Sequence, residues 1–219
     1  MPRSPSPDSV EARLARRIRR SAPGTVFTPD TFAALGSRAA VDKALQRLVA
    51  RGLVRRLSRG LYDRPREDEL FGTLWPGVDA VIKAVAGTHR IRTQPTGVYA
   101  ANLLGLSEQV PAKVVLLTDG VSRTLRVGPS QITLRRTTPR QMAAAGRLSG
   151  LLIQAFKSFG ARHITPAHIR RLRERIPEGE RAKVLKDLAL APAWMRPLLA
   201  QVASPDGVEE AGAREKRHA

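Results

Sequence analysis

The chain has 219 residues, 42% of them hydrophobic, which is enough for a core in one large domain or two small ones. Thirty-eight Lys and Arg stand against nineteen Asp and Glu, a formal charge of +19. Such an excess repels itself, so a polyanionic partner is expected, nucleic acid first and an acidic protein second. The absence of cysteine excludes disulfides and thiolate metal sites and is compatible with a reducing cytoplasm.

Taken in chain order, the opening MPRSPSPDS has no apolar segment to make a secretory signal and reads as a short disordered lead-in. Asp8 or Ser9 caps a first helix to about Arg20, with Val10, Leu14 and Ile18 on its inner face and five arginines on the rest. Ser21-Ala22-Pro23-Gly24 ends it. Val26 and Phe27 form a short extended piece, and Thr28 caps a second helix with Pro29 at its favoured first position. Phe32 and Leu35 give that helix its core contacts.

The stretch 28–66 is the most informative. Gly36 turns the chain and Ser37 caps a further helix, in which Val41, Ala44, Leu45, Leu48 and Val49 make one apolar stripe. The opposite face carries Arg38, Asp42, Lys43, Gln46 and Arg47, side-chain types that bond base edges and phosphates in a major groove. Gly52 suits the end of this helix. Residues 53–57 then alternate weakly as a strand, Ser58-Arg59-Gly60 turns it, and Leu61-Tyr62 starts the return. Arg55, Arg56 and Arg59 make the hairpin basic, as a wing against a phosphate backbone is. Helix, turn, helix and basic hairpin in this order predict a winged helix-turn-helix over 9–66, a charged outer face alone being ordinarily just solvated surface. Residues 1–66 hold fifteen Lys and Arg against five Asp and Glu, about half of the chain's surplus.

The charged, proline-interrupted stretch 64–68 reads as a linker, and 70–76 as a connection into a helix at 79–86 stopped by Gly87. A second α+β domain is expected over 67–203. It holds a helix at 95–104 ending at Gly105, a β run at 113–118, a hairpin turn at Asp119-Gly120, a return strand at 123–127 and a third strand at 132–137. These make a small, mostly antiparallel sheet flanked by helices. Helices then follow at 139–159, 166–175, 178–190 and 192–202, and 204–219 reads as a frayed tail. Apolar runs such as 114–117 are far too short to cross a bilayer, so no membrane partner is expected.

Chemistry leaves few marks. The four histidines are His89, His163, His168 and His218, and no carboxylate pattern accompanies them, so neither a metal site nor a cofactor is expected. No nucleophile elbow and no phosphate-cradling glycine loop appears. Acidic residues in the second domain are sparse, and Asp119 is explained by its turn, which argues against a magnesium-dependent nuclease or nucleotidyltransferase. The arginines of 170–175 read as solvated surface, as a second phosphate contact, or as a dock for an acidic protein.

Three stretches stand out together: 37–51 followed by LVRRLSRGLYDRP, TGVYAANLLGLSEQVPAKVVLLTDG at 96–120, and LKDLALAPAWMRPLL at 185–199. Through these, over most of 10–202, the chain resembles the AbiEi family of abortive-infection antitoxins, in a shorter branch. The resemblance implies the antitoxin of a type IV toxin–antitoxin pair, with a winged helix that represses its operon at operator repeats. The C-terminal domain then counters a nucleotidyltransferase-like toxin, with or without a stable complex. Contact with operator DNA falls on Thr28, Ser37, Arg38, Lys43, Gln46, Arg47, Arg55, Arg56 and Arg59. No motif carries over to an antitoxic surface.

The leading expectation is therefore a cytoplasmic, non-enzymatic repressor of duplex DNA with inverted repeats. A basic protein of RNA or the ribosome is the alternative, against which 4% aromatic content argues mildly, since single strands are read by stacking. A nuclease with unassembled carboxylates is the third.

Overall fold

The structure, a computed structural model, describes residues 6, 8–109 and 111–204, so the lead-in and the expected tail fall largely outside the described residues. The chain divides into two compact units. Of the described residues, the first unit takes those up to 91 with 122–133, and the second those of 92–121 with those from 134 onward. The division falls at residue 91 rather than at 66, because elements beyond the expected linker pack with the first unit.

In the first unit, helix α1 (Val10–Arg20) is capped by Ser9, whose hydroxyl accepts from Ala12 N, and buries Glu11, Leu14 and Ile18. A short strand β1 (Val26–Phe27) leads into Pro29–Leu35. The sequence predicts an α-helix there, but these seven residues wind as a 3₁₀ helix, the tighter form that short connecting turns favour. Gly36 then passes so close to α1 that an added Cβ would lie 2.8 Å from Val10 Cγ2. Helix α2 (Arg38–Ala50) follows, with Ser37 Oγ accepting from Ala40 N at 3.3 Å.

Strands β2 (Arg55–Ser58) and β3 (Leu61–Asp63) complete a sheet ordered β1-β3-β2, with Phe27 opposite Tyr62 and Arg55 opposite Asp63. Gly60, at φ 71°, takes the left-handed conformation in the β2–β3 turn. Leu14, Ile18, Phe27, Phe32, Val41, Ala44, Leu45, Leu48, Val54 and Tyr62 form one core, with the Phe27 and Phe32 rings 5.5 Å apart.

The expected linker is instead the start of a second hairpin, β4 (Arg66–Asp68) with β5 (Gly72–Leu74), antiparallel from Arg66 opposite Leu74 to Asp68 opposite Gly72. The Asp68 carboxylate accepts from the backbone N–H groups of Leu70 and Phe71, which closes the turn a composition-based reading treats as loop. Helix α3 (Val78–His89) runs through Gly87 instead of stopping there, and ends at Arg90, which adopts the left-handed conformation at φ 49°.

The second unit begins with β6 (Thr93–Pro95), a strand the sequence reading leaves unassigned apart from Pro95, which it gives to the following helix. That helix, α4, covers only Gly97–Leu103. Strand β7 (Lys113–Thr118) lies antiparallel to β6, with Thr93 opposite Thr118. In sequence, strands β8 (Arg123–Val127) and β9 (Ser130–Arg136) follow, with β8 and residues 130–133 of β9 in the first unit and 134–136 in the second. The expected Asp119-Gly120 hairpin does not form, since both β7 and β8 have β9 as neighbour. Asp119 is drawn to Arg92 instead, accepting from its Nε at 2.9 Å and its backbone N–H at 2.8 Å, and these bonds hold the carboxyl below its usual range.

Helix α5 (Leu148–Phe159) starts nine residues later than expected, because 138–147 make successive turns with Gly146 at φ 78°. Helices α6 (Pro166–Arg175), α7 (Glu178–Lys186) and α8 (Arg196–Ala203) complete the unit, with 3₁₀ turns at Leu188–Leu190 and Ala193–Met195 where longer α-helices are expected. Leu104, Leu152, Phe156, Leu172, Met195 and Val202 belong to its core. Mixed α+β with small antiparallel pairings is thus the architecture, and among the described residues no helix is long and apolar enough to cross a membrane.

Leu45 is fully buried beneath the outer face of α2. Leu45→Ala is expected to lower unfolding free energy by about 2–5 kcal/mol. Equilibrium denaturation checks this, and a loss below about 1 kcal/mol would contradict the packing described.

Candidate nucleic-acid interface

The amphipathic pattern of α2 decides which side chains face solvent. Val41, Ala44, Leu45 and Leu48 are buried at helical spacing, so Arg38, Lys43, Gln46 and Arg47 fall on the exposed side. Lys43 and Gln46 make no ion pair or side-chain hydrogen bond among the described residues and project free donors.

Arg38 and Arg47 are tethered. Arg38 donates from Nε to Asp42 at 2.9 Å and from Nη1 to Asp30 at 3.0 Å. The Asp42 bond holds its guanidinium pKa above the ordinary value. Arg47 and Arg51 each donate to one oxygen of Glu11, at 3.1 and 2.9 Å. The Glu11 side chain is only 8% exposed whereas that of Arg47 is 56% exposed. Both carboxylate oxygens of α1 therefore pin the last turn of α2, while most Arg47 donors remain outward. Sequence reading misses Glu11 because its partners lie 36 and 40 residues away.

The hairpin separates its three arginines into two kinds. Arg56 and Arg59 are exposed and, among the described residues, unpaired, Arg56 on β2 and Arg59 in the turn. Arg55 is not a free phosphate contact, which corrects the expectation for it. It grips the fully buried Asp63 through Nε at 3.1 Å and Nη2 at 2.6 Å, and Nη2 also donates to Leu74 O at 2.7 Å. Its guanidinium stacks 4.2 Å from the centre of the Trp75 ring. Gly128, at φ 55°, lies against this stack, since an added Cβ would meet the indole at 2.4 Å. Arg55 thus ties β2, β3 and the end of β5 together.

Thr28 also leaves the interface. It is 5% exposed, its Oγ1 bonds Thr88 Oγ1 at 2.6 Å, and its backbone N–H donates to Thr31 Oγ1 at 3.2 Å. The start of the 3₁₀ helix is therefore packed inward. Ser37 is exposed, but its hydroxyl is used as the cap of α2.

A second group of cations sits along α1. Arg16, Arg19, Arg20 and Arg51 line, with Glu11, an open pocket of about 410 Å³. The density of arginines on α1 is visible in the sequence, but their convergence with Arg51 depends on the α1–α2 packing. Elsewhere, His163 bonds Phe159 O, and His168 accepts from Thr165 N in the cap of α6. Among the described residues no group of three His, Cys, Asp or Glu is arranged to hold a metal.

A family model matches the chain over residues 13–184. The chain belongs to DUF6088, a family of unknown function. No curated protein matches it. The span that defines a DUF6088 chain here takes in most of α1, all of α2 and the β2–β3 hairpin, so the cationic surface lies within the family's own match.

The two kinds of hairpin arginine are separable by stability. Asp63→Ala leaves the Arg55 cation half-enclosed without its partner and is expected to cost about 3–5 kcal/mol. Arg59→Ala is expected to stay within about 0.5 kcal/mol of the parent. Thermal or urea unfolding of both variants checks this, and equal effects would contradict the assignment.

Proposed function

We propose that this DUF6088 chain is a sequence-specific DNA-binding repressor whose first unit is a winged helix-turn-helix. The observation that carries the reading is the outward face of α2. Its apolar stripe is buried, and Lys43, Gln46 and Arg47 project free donors on the same surface type that reads a major groove. The helix, 3₁₀ turn, helix and hairpin order supports it, as does the β1-β3-β2 sheet with exposed Arg56 and Arg59 on the hairpin. The +19 charge supplies the non-specific attraction that such readers use.

In this reading Lys43, Gln46 and Arg47 contact base edges or phosphates, and Arg56 and Arg59 lie on the phosphate backbone. Arg38, with Asp30 and Asp42 beside it, sets the approach of α2 more than it reads bases. Arg55 contributes by holding the hairpin. Ser37 contributes as the cap that starts α2. The operator consists of repeats, inverted ones fitting either a dimer or two monomers side by side.

The biological role we propose is the antitoxin of a type IV toxin–antitoxin operon in the cytoplasm, with the second unit countering a nucleotidyltransferase-like toxin. That part rests on the resemblance to AbiEi antitoxins in 37–65, 96–120 and 185–199. It needs no stable complex between the two proteins. Growth rescue on co-expression with the product of a neighbouring nucleotidyltransferase gene tests it, and failure to rescue would remove the antitoxin role while leaving the repressor role standing.

Binding to duplex DNA from the protein's own promoter tests the repressor role. Lys43→Ala or Arg47→Ala is expected to weaken the operator complex by about 1–3 kcal/mol and to relax preference at one base position. Arg56→Ala and Arg59→Ala are expected to weaken all sequences alike, each lowering the log–log salt slope by about 0.9. Unchanged affinity in the helix and hairpin variants together, or equal affinity for bulk RNA, would contradict the reading.

A further inference from the structure

The second unit holds a cavity of about 650 Å³, within the range of about 300–1,000 Å³ typical of small-molecule sites. None of the residues assigned to DNA lines it, so its role is independent of the repressor reading. Three cations line it: Arg140 from the turns before α5, Lys157 from α5, and Arg196 at the start of α8. Arg140 and Lys157 are exposed and make no ion pair among the described residues, while Arg196 is oriented by a bond from Nε to Ala191 O at 3.2 Å. Among the described residues that line the cavity there is no Asp or Glu. Its charge is therefore uncompensated, which calls for an anion.

A second feature calls for something else. Gln94, on β6, is 2% exposed and lines the same cavity. Its Nε2 donates to Pro95 O at 3.3 Å, which leaves Oε1 as a buried acceptor with no partner. An unpaired acceptor at such depth costs free energy until a donor reaches it. Gly150 lies directly against it, and any side chain there would clash, since a Cβ would lie 2.6 Å from Gln94 Oε1 and 2.2 Å from Ala144 O. Gln154, also largely buried, and Ile153 supply a mixed amide and apolar wall beside it.

A carboxylate satisfies the cations but gives Gln94 Oε1 no donor, and a bare phosphate leaves the apolar wall uncovered. A ligand that meets both demands carries an anionic end, a flat ring for the apolar wall, and a donor on that ring, for which an exocyclic amino group serves. We propose that this cavity binds a nucleoside phosphate whose base bears an exocyclic amino group. The phosphates lie on Arg140, Lys157 and Arg196. The exocyclic amine donates to Gln94 Oε1, the pairing by which amides read base edges.

Isothermal titration of the full chain at fixed ionic strength with ATP, GTP, CTP, UTP and tripolyphosphate tests this. At least one of the three amino-bearing nucleotides is expected to bind tenfold or more tightly than UTP and tripolyphosphate. The double variant Arg140→Glu with Lys157→Glu is expected to lose at least tenfold of that affinity. Both side chains are exposed, so the fold is expected to persist, which circular dichroism checks. Arg56→Glu with Arg59→Glu, in the first unit, is expected to retain nucleotide binding. The proposal is overturned by absence of binding at millimolar nucleotide, by UTP or tripolyphosphate binding as tightly as the best amino-bearing nucleotide, or by full binding in the Arg140/Lys157 variant.

Discussion

Burial of one stripe fixes the rotation of α2 about its own axis, and the character of the first unit's surface depends on that rotation. Leu45 and Leu48 have no freedom to turn outward, being fully enclosed with Leu14, Ile18 and Phe32 in a single core. Rotating the helix by one residue's angle would bury a charged side chain without a partner, at a cost no surface contact offsets. Lys43, Gln46 and Arg47 are outward because the apolar side chains are inward. Glu11 then locks the far end, its two oxygens holding Arg47 and Arg51 so that the helix cannot slide along α1.

A second constraint sets the hairpin. A two-stranded ribbon of this length is marginal alone. Here it is held by β1 on one edge and by Arg55, which joins Asp63, Leu74 O and the Trp75 ring in one cluster. The arginine nearest the strand start is used inside the protein, and the two farther along, Arg56 and Arg59, stand exposed. The same residue type thus plays two physical roles within five positions. Only the three-dimensional partners tell them apart.

That contrast explains what the sequence made legible. Ser37, the 3.6-residue stripe and the glycine after α2 are local signals, and the helix and hairpin lie where they point. The role of Arg55 was hidden because Asp63 and Trp75 are not adjacent in sequence and neither residue type announces a pairing. Thr28 has the composition of an exposed cap, yet its hydroxyl bonds Thr88, sixty residues later. The β4–β5 hairpin escaped notice because Arg66–Asp68 is charged and comes just after a proline, a composition shared with linkers. Residues 139–147 carry helix-forming alanines, but the turns bonded through Thr138 and the left-handed Gly146 end any continuous helix. The cavity of the second unit draws on Gln94, Lys157 and Arg196, spread over about a hundred residues, so no motif could have revealed it.

Entry of the outer face of α2 into a duplex major groove is tested most directly by dimethyl sulfate protection on the protein's own promoter DNA. This reagent methylates guanine N7 in the major groove and adenine N3 in the minor groove. Protection of guanine N7 is expected at discrete positions in each operator repeat, lost at those positions when Lys43 and Gln46 are both replaced by alanine. Protection confined to adenine N3, or a guanine pattern unchanged by those replacements, would contradict a groove-reading α2.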